Sequence, residues 1–199
     1  MVLREHRRDT RVKLGLIVEG KSDDRCLRRL LQTCCSGDGP TSIWVRRTNG
    51  VGDSLNAKKV LATAQALIAE HGSIDRIVVC IDEDCVGDRR AKAANCEREL
   101  RAAGLGSVSY SLAQQAVEGW LLPDEKAIGV VLGSAMSRLN GDISAECSPK
   151  ARLRQVFRRH GMRYNAVVHN QAIAEHLNHA VAGGRNPSLS TFLALACNS

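Results

Sequence analysis

Two apolar runs in this chain end in the same way. KLGLIV, residues 13–18, stops on Glu19-Gly20, and RIVVCI, residues 76–81, stops on Asp82-Glu83-Asp84. Both runs are continuous rather than alternating, the pattern of a strand covered on both faces in a parallel sheet. Between them, Ser22 or Asp23 can cap a helix running to about Cys34, with Leu27, Leu30 and Leu31 on one face. SGDGP at 36–40 reads as a loop, SIWVRR at 42–47 as another strand and NGVGD at 49–53 as a turn. Leu55, Val60, Leu61, Ala64, Leu67 and Ile68 recur at helical spacing over 54–70. A helix over about 89–103, ending at Gly104, and a strand over 106–111 complete the alternation.

Strand and helix alternating over 110 residues predict an α/β fold: a compact parallel sheet of about four strands flanked by helices. Residues 1–12 are polar and basic and are expected to be flexible. Residues 13–112 form the α/β core. Residues 113–199 are mostly helical, with turns near Pro123, Asn140-Gly141, Pro149, Gly161 and Gly183-Gly184, and are expected to pack on the same domain as an extension.

The charge balance narrows the partners. Twenty-eight lysines and arginines against 21 aspartates and glutamates leave a net charge of +7, which fits a polyanion because cations meeting phosphates release counterions. Aromatic residues make up only 3%, which weakens any case for base stacking. The eight cysteines, at 26, 34, 35, 80, 85, 96, 147 and 197, form no CxxC pair, so neither a disulfide framework nor a zinc ribbon is expected. LGLIV is too short to span a membrane, and no apolar segment of signal type follows the basic start. These features predict a reducing, cytoplasmic setting and no membrane partner.

In a parallel sheet, ligands sit at the carboxyl ends of the strands. Glu19, Asp82 and Asp84 fall there. Alternate residues of an extended chain share a face, so Asp82-x-Asp84 is expected to project two carboxylates to one side. If the two apolar strands are neighbours, Glu19 joins them. Three convergent carboxylates repel one another, and a hard cation with oxygen ligands relieves the repulsion. Gly20 and Gly87 suit tight turns and close backbone approach. Helix capping is the plainer explanation for acidic residues after strands. It accounts for Asp23 or Asp24 and for Asp88, but not for Glu19 or for the Asp82/Asp84 pair.

VEGKSDD together with IDEDCVGD resembles the Toprim domain of topoisomerases, primases and OLD-type nucleases: a Glu-Gly after the first strand and an Asp-x-Asp after the third. AVEGWLLPD at 116–124, SPKARL at 148–153 and NPSLSTF at 186–192 look like landmarks of small stand-alone Toprim-like proteins, the domain of unknown function 4276 type. The resemblance implies a Toprim-like fold and Mg²⁺- or Mn²⁺-dependent phosphoryl transfer on DNA or RNA. It assigns Glu19, Asp82 and Asp84 to metal binding and catalysis. Some proteins of this kind act in phage defence or RNA processing.

Glu118 interrupts an apolar helical stretch and is a candidate for a second metal position. A carboxylate paired with an arginine or partly exposed is the alternative. Lys150 is a candidate phosphate contact, with a solvated lysine as the plainer reading. Arg46, Arg47, Arg89 and Arg90 lie near strand ends and helix starts as candidate phosphate clamps. Arg158 and Arg159 belong to a basic run, RLRQVFRRHGMR at 152–163, that can lie along a nucleic acid backbone or simply face solvent. His176 and His179, three apart, are expected on one helix face at the surface.

The topoisomerase branch needs a nucleophilic tyrosine, and only Tyr110 and Tyr164 are present. The sequence has no GxxxxGK[ST] loop, so any nucleotide hydrolysis must come from a partner ATPase. The resulting expectation is a metal-dependent nuclease. The alternatives are a non-catalytic binding subunit of a larger complex, or a transferase that uses Asp-x-Asp to bind a nucleotide-sugar. The second leaves Glu19-Gly20 unexplained.

Overall fold

The computed structural model describes residues 12–35, 40, 42–85 and 87–197. The basic segment expected to be flexible lies, apart from Val12, outside these residues, as does most of the predicted 36–40 loop.

Four strands form one parallel sheet in the order β2-β1-β3-β4: β1 Lys13–Val18, β2 Ser42–Arg47, β3 Arg76–Asp82 and β4 Val108–Ala113. The two strands that end in carboxylates are therefore neighbours, with Val18 level with Cys80. The crossovers are α1 Lys21–Cys34 after β1, α2 Val51–Ser54 and α3 Ala57–His71 after β2, and α4 Arg89–Ala102 after β3. After β4 come α5 Glu118–Leu121, α6 Glu125–Leu132, a 3₁₀ turn Ile143–Ala145, α7 Pro149–Arg159, α8 Ala166–His176, α9 His179–Arg185 and α10 Pro187–Ala196.

The continuous apolar runs are explained by two cores, one on each face of the sheet. Leu14, Leu16 and Val18 of β1, with Val78 and Cys80 of β3, pack on α1 and on the helices after β4 through Trp120, Phe157 and Phe192. The residues between them, Ile17, Ile77, Val79 and Ile81, face α3 and α4 through Val60, Leu67, Cys96 and Leu100. Burying an aliphatic side chain of this size contributes roughly 1.5–3 kcal/mol, so these two layers dominate the stability. Residues 113–197 supply much of the first core and share the covering of that sheet face with α1.

Several local expectations shift. The 49–53 segment is partly helical, as α2, and Asn56 caps α3 by accepting the Lys59 N–H at 3.2 Å. β4 begins two residues later than its apolar pattern suggests. Gly20 is the N-cap residue of α1 and no side chain caps the helix, so Asp23 is left for other work. His176 closes α8 and His179 opens α9, so the two do not share a helix.

The cysteine expectation is corrected. Cys35 pairs with Cys197 and Cys85 with Cys147, at Cα separations of 5.5 and 5.4 Å. The partners lie 162 and 62 residues apart, and only the tertiary fold brings them together. Cys26, Cys34, Cys80 and Cys96 are buried thiols. Among the described residues no helix is long and apolar enough to cross a membrane.

Candidate active site at the carboxyl edge of the sheet

Because β1 and β3 are neighbours, their ends deliver Glu19 and Asp82 to the same place. The Asp82 N–H donates to Glu19 Oε1 at 3.2 Å. Beyond Asp82 the chain stops being extended. Asp84 has φ +55°, a left-handed backbone that non-glycine residues seldom adopt. The expected two-residue alternation therefore does not operate: Asp82 is largely buried while the Asp84 side chain is 49% exposed. Both still line one cavity of about 380 Å³, together with Asp23, Glu118, Lys150 and Arg154.

Asp23 was masked in the sequence by its place in the first turn of a helix. In the fold it faces Asp82 and Glu118 across the cavity. Burial is the main cause raising its pKa, Glu118 raises it further, and Ser22, the Gly20 backbone and Lys150 pull the other way. Gly20 itself is extended (φ −146°), so it is not needed for a left-handed turn; a Cβ there would meet Asp23 Oδ2 at 3.3 Å. Gly87, at φ +130°, does occupy glycine territory in the loop after Asp84.

Asp82 is the most perturbed of the set. Burial, Asp23 and Glu118 push its carboxyl up to about 8, against the Val117 N–H that donates to Oδ1 at 3.0 Å. Glu19 is raised as well, chiefly by burial, with Arg89 and the Asp82 N–H opposing. Such mutual elevation marks a surplus of negative charge in a partly dry cleft.

Glu118 is 4% exposed at the start of the short α5. Among the described residues no arginine pairs with it. Asn170 of α8, fully buried, donates from Nδ2 to Glu118 Oε1 at 3.2 Å, and Tyr164 OH donates in turn to Asn170 Oδ1. α5 is fixed from below by a second network. Trp120 Nε1 and the Gln114 N–H both donate to Ser188 Oγ, at 2.7 and 2.9 Å, Ser188 donates to Asn186 Oδ1 at 2.7 Å, and Asn186 Nδ2 donates to Gly119 O at 3.1 Å. The later sequence landmarks thus have a physical role: Asn186 and Ser188 hold the segment that carries Glu118. Asp124, also in a landmark, is structural, accepting N–H groups of Ala127 and Asn178.

Gln115 was not foreseen. It is, with Asp84, one of two non-glycine residues with positive φ among the described residues, and Asp84 N–H donates to its carbonyl at 3.1 Å. Its Oε1 is buried without a hydrogen-bond partner, and the residue lines the acidic cavity. Backbone strain and an orphaned oxygen in one place mark a site held ready for something else. No sequence signal beyond its position after β4 pointed there. The Cys85–Cys147 disulfide ties the loop of Asp84 to the residue two before Pro149, on the cavity wall.

The predicted phosphate clamps divide. Arg89 donates to the Asp82 carbonyl at 2.7 Å and pairs with Asp84. Arg90 pairs with Glu83 at 2.7 Å, and Arg46 with Glu70. Arg47 is exposed and has no ion-pair or hydrogen-bond partner for its side chain among the described residues. With Glu19, Lys21, Arg46 and Thr48 it lines a second cavity of about 600 Å³ on the far side of Glu19. Lys150 lines the acidic cavity, whereas Arg158 and Arg159 lie outside it on α7. Both tyrosines are occupied as structural donors: Tyr110 OH bonds Ser54 O at 2.7 Å in the opposite core, and burial raises the pKa of both.

No curated protein matches this sequence. Among solved structures, the chain is similar to the C-terminal region of the Burkholderia pseudomallei OLD protein, at 18% identity and a TM-score of 0.46 over 92% of this chain and 99% of that one. It is also similar to the C-terminal region of the Xanthomonas campestris pv. campestris OLD protein, at 16% identity and a TM-score of 0.41 over 92% of this chain and 95% of that one. Likeness at this level does not transfer chemistry. The family match covers nearly the whole described fold: residues 18–195 match the family described as Domain of unknown function (DUF4276), and the chain belongs to that family.

Proposed function

We propose that this chain is a Toprim-type, metal-dependent phosphoryl-transfer enzyme that hydrolyses phosphodiester bonds in nucleic acid. One observation carries the reading. Asp23, Asp82, Asp84 and Glu118 share a single small cavity whose wall also bears Lys150 and Arg154. A binding module gains nothing from holding like charges together at a cost in stability, whereas a phosphoryl-transfer site needs anionic ligands for a cation beside cations for the phosphate.

The donor set fits Mg²⁺ or Mn²⁺. It is all oxygen, it includes the unpartnered Gln115 Oε1, and its carboxylates lack enough compensating charge. Among the described residues no three His, Cys, Asp or Glu side chains form a ready-made cage. Mg²⁺ suits such an open arrangement, since it usually keeps several waters and takes one or two carboxylates plus substrate phosphate oxygens. Asp82 and Asp84 would hold it, with Asp23 and Glu118 available for a second ion. When bound, the ion polarises the phosphoryl group and acidifies a water.

The chain's own groups do the rest. Glu19, half-buried and held against the Asp82 N–H, carries a proton to or from the attacking or leaving oxygen, and burial raises its pKa above the ordinary carboxylate value. Lys150 and Arg154 receive the phosphate charge. Asn170 holds Glu118 in place.

The test is cleavage of supercoiled plasmid and of a structured RNA by the purified chain with Mg²⁺, Mn²⁺ or EDTA, beside Glu19→Ala and the Asp82→Ala/Asp84→Ala double variant. Metal-dependent cutting lost in both variants is the expected result, and the substrate that is cut identifies the class. No cutting, with no divalent-ion thermal shift that depends on Asp82 and Asp84, overturns the reading for the isolated chain and directs the search to a partner ATPase or a binding role.

A further inference from the structure

The proposed site leaves open how a polymer would enter or leave it. The cations of α7 bear on this. The buried stripe of the helix, Leu153, Val156 and Phe157, separates two basic flanks. On one flank Lys150, Arg154 and Arg158 follow one another at four-residue intervals, which in a helix stacks them along one side at about 6 Å per step. On the other flank lie Arg152 and Arg159, which line a different cavity with Arg138 and His160.

Only the first flank is continuous with the acidic cavity. Lys150 and Arg154 line that cavity. Arg154 also lines a neighbouring cleft of about 620 Å³ with Arg158, Arg163 and Tyr164, and no carboxylate contributes to its wall. Gly161, at φ +71°, ends the helix and turns the chain so that Arg163 joins the same cleft. Arg154, Arg158 and Arg163 are exposed, and the side chains of all three and of Lys150 have no ion-pair or hydrogen-bond partner among the described residues. Arg28, Arg29, Arg46, Arg89, Arg90, Arg101 and Arg185, by contrast, are all paired with carboxylates.

We infer that the cleft along Arg154, Arg158 and Arg163 is the track for one phosphodiester strand running away from the acidic cavity. This inference rests on the nuclease reading above and says which side of the site the strand occupies. The helix rises about 12 Å from Lys150 to Arg158. A strand with one phosphate per ~3.4 Å of rise places three to four phosphates over that length. Unpaired arginines at this spacing, on a cleft wall that carries no carboxylate, match a line of phosphates rather than a folded acidic protein, whose charges are two-dimensional and mixed. The contacts go to the backbone, so the track reads charge and not sequence.

The test is a binding titration in EDTA, so that no cutting occurs. Fluorescein-labelled single strands of 12 nucleotides, in DNA and RNA versions of one sequence, are titrated over a range of salt concentrations. For the wild type, log K falls linearly with log salt. Arg154→Gln, Arg158→Gln and Arg163→Gln each weaken binding roughly three- to tenfold and reduce the slope by about 0.7, the value for one lost phosphate contact on a single strand. Arg152→Gln and Arg159→Gln leave the slope unchanged. The DNA and RNA arms show which sugar the track accepts. Equal losses in all five variants reduce the effect to bulk charge and overturn the track. Metal-dependent cleavage and binding that need Asp82 but are untouched by the three arginine variants overturn the track and leave the nuclease reading standing. No binding and no cleavage by the wild type overturn both.

Discussion

Two cavities open at the carboxyl edge of the sheet; Glu19 lines the basic one and is tied to the acidic one through the Asp82 N–H. On one side Asp23, Asp82, Asp84 and Glu118 crowd a small cleft, where burial and the neighbouring carboxylates raise the pKa of Asp23 and Asp82. On the other, Lys21, Arg46 and Arg47 line a larger one in which the charge is already half settled by the Arg46–Glu70 pair. The acidic cleft is rigid: it holds the two strained non-glycine residues, it is braced by Asn170 and by the Asn186–Ser188 network, and a disulfide joins its walls. The basic cavity is built from an exposed strand end, held at Thr48 by its N–H to Val18 O and its hydroxyl to Ser54, and among the described residues no disulfide crosses it. The difference teaches where the fold tolerates a cost in stability. Unfavourable charge is held only where rigid supports surround it, and such places are where chemistry is done.

The sharpest way to break the comparison is Asp82→Asn. Cleavage is expected to fall by at least about 10³-fold, in line with losing a central electrostatic group of an active site. The metal-free variant should melt at a higher temperature than the wild type, because it loses a carboxylate that its neighbours repel. A lower melting temperature would mean that the Asp82 carboxylate is not held against repulsion, and would break the comparison. Next in size is Asn170→Leu, a change of similar volume, which should cost about 10–100-fold in metal affinity or activity, the range for groups that orient ligands. Calorimetric metal binding separates this from misfolding, and binding of single strands in EDTA should be unchanged.

The Cys85–Cys147 link provides a third test. Opening it with a dithiol reductant, or by Cys85→Ser/Cys147→Ser, should lower cleavage roughly tenfold by loosening the cleft wall, while strand binding in EDTA holds. Losing the Cys35–Cys197 link, which is far from the cleft, should instead cost about 2–5 kcal/mol of unfolding free energy, measured by denaturant titration, with little effect on activity in the folded range.

pH makes a fourth. Asp82 is raised in the folded state from its ordinary value of 3.8 to about 8, so the folded protein binds more protons than the unfolded chain across that window. The metal-free protein should therefore lose stability as pH rises from about 4 to about 8, the reverse of a salt-bridged carboxylate. Asp82→Asn should flatten the curve, and Mg²⁺ should oppose the loss and release protons on binding near pH 7. The smallest effect belongs to the basic cavity: Arg47→Ala should weaken strand binding a few-fold, and Arg46→Ala less, since Glu70 already occupies it.

The strands and their order of helices were legible because burial on both faces leaves a continuous apolar run, and KLGLIV and RIVVCI admit little else. Glu19, Asp82 and Asp84 were legible for the same reason: strand ends announce themselves, and carboxylates there need an explanation. Asp23 and Gln115 were not legible. One sits where an ordinary helix start would put it, and the other matters through its backbone angle and an unpartnered oxygen, neither of which is written in composition or spacing. The two disulfides were invisible for a related reason, since partners 162 and 62 residues apart have no local signature.

The amino-acid sequence by itself determined the parallel α/β framework, the placement of three carboxylates at its edge and the positive charge that favours a polyanion, because hydrophobic period and strand termini are local properties. Which carboxylates share a cavity, which arginines are already paired and which remain along α7, and that Asn170 and Ser188 brace Glu118 from opposite sides of the helical extension were decided only by the tertiary structure. Those are distances between residues tens to more than a hundred positions apart, and packing alone sets them.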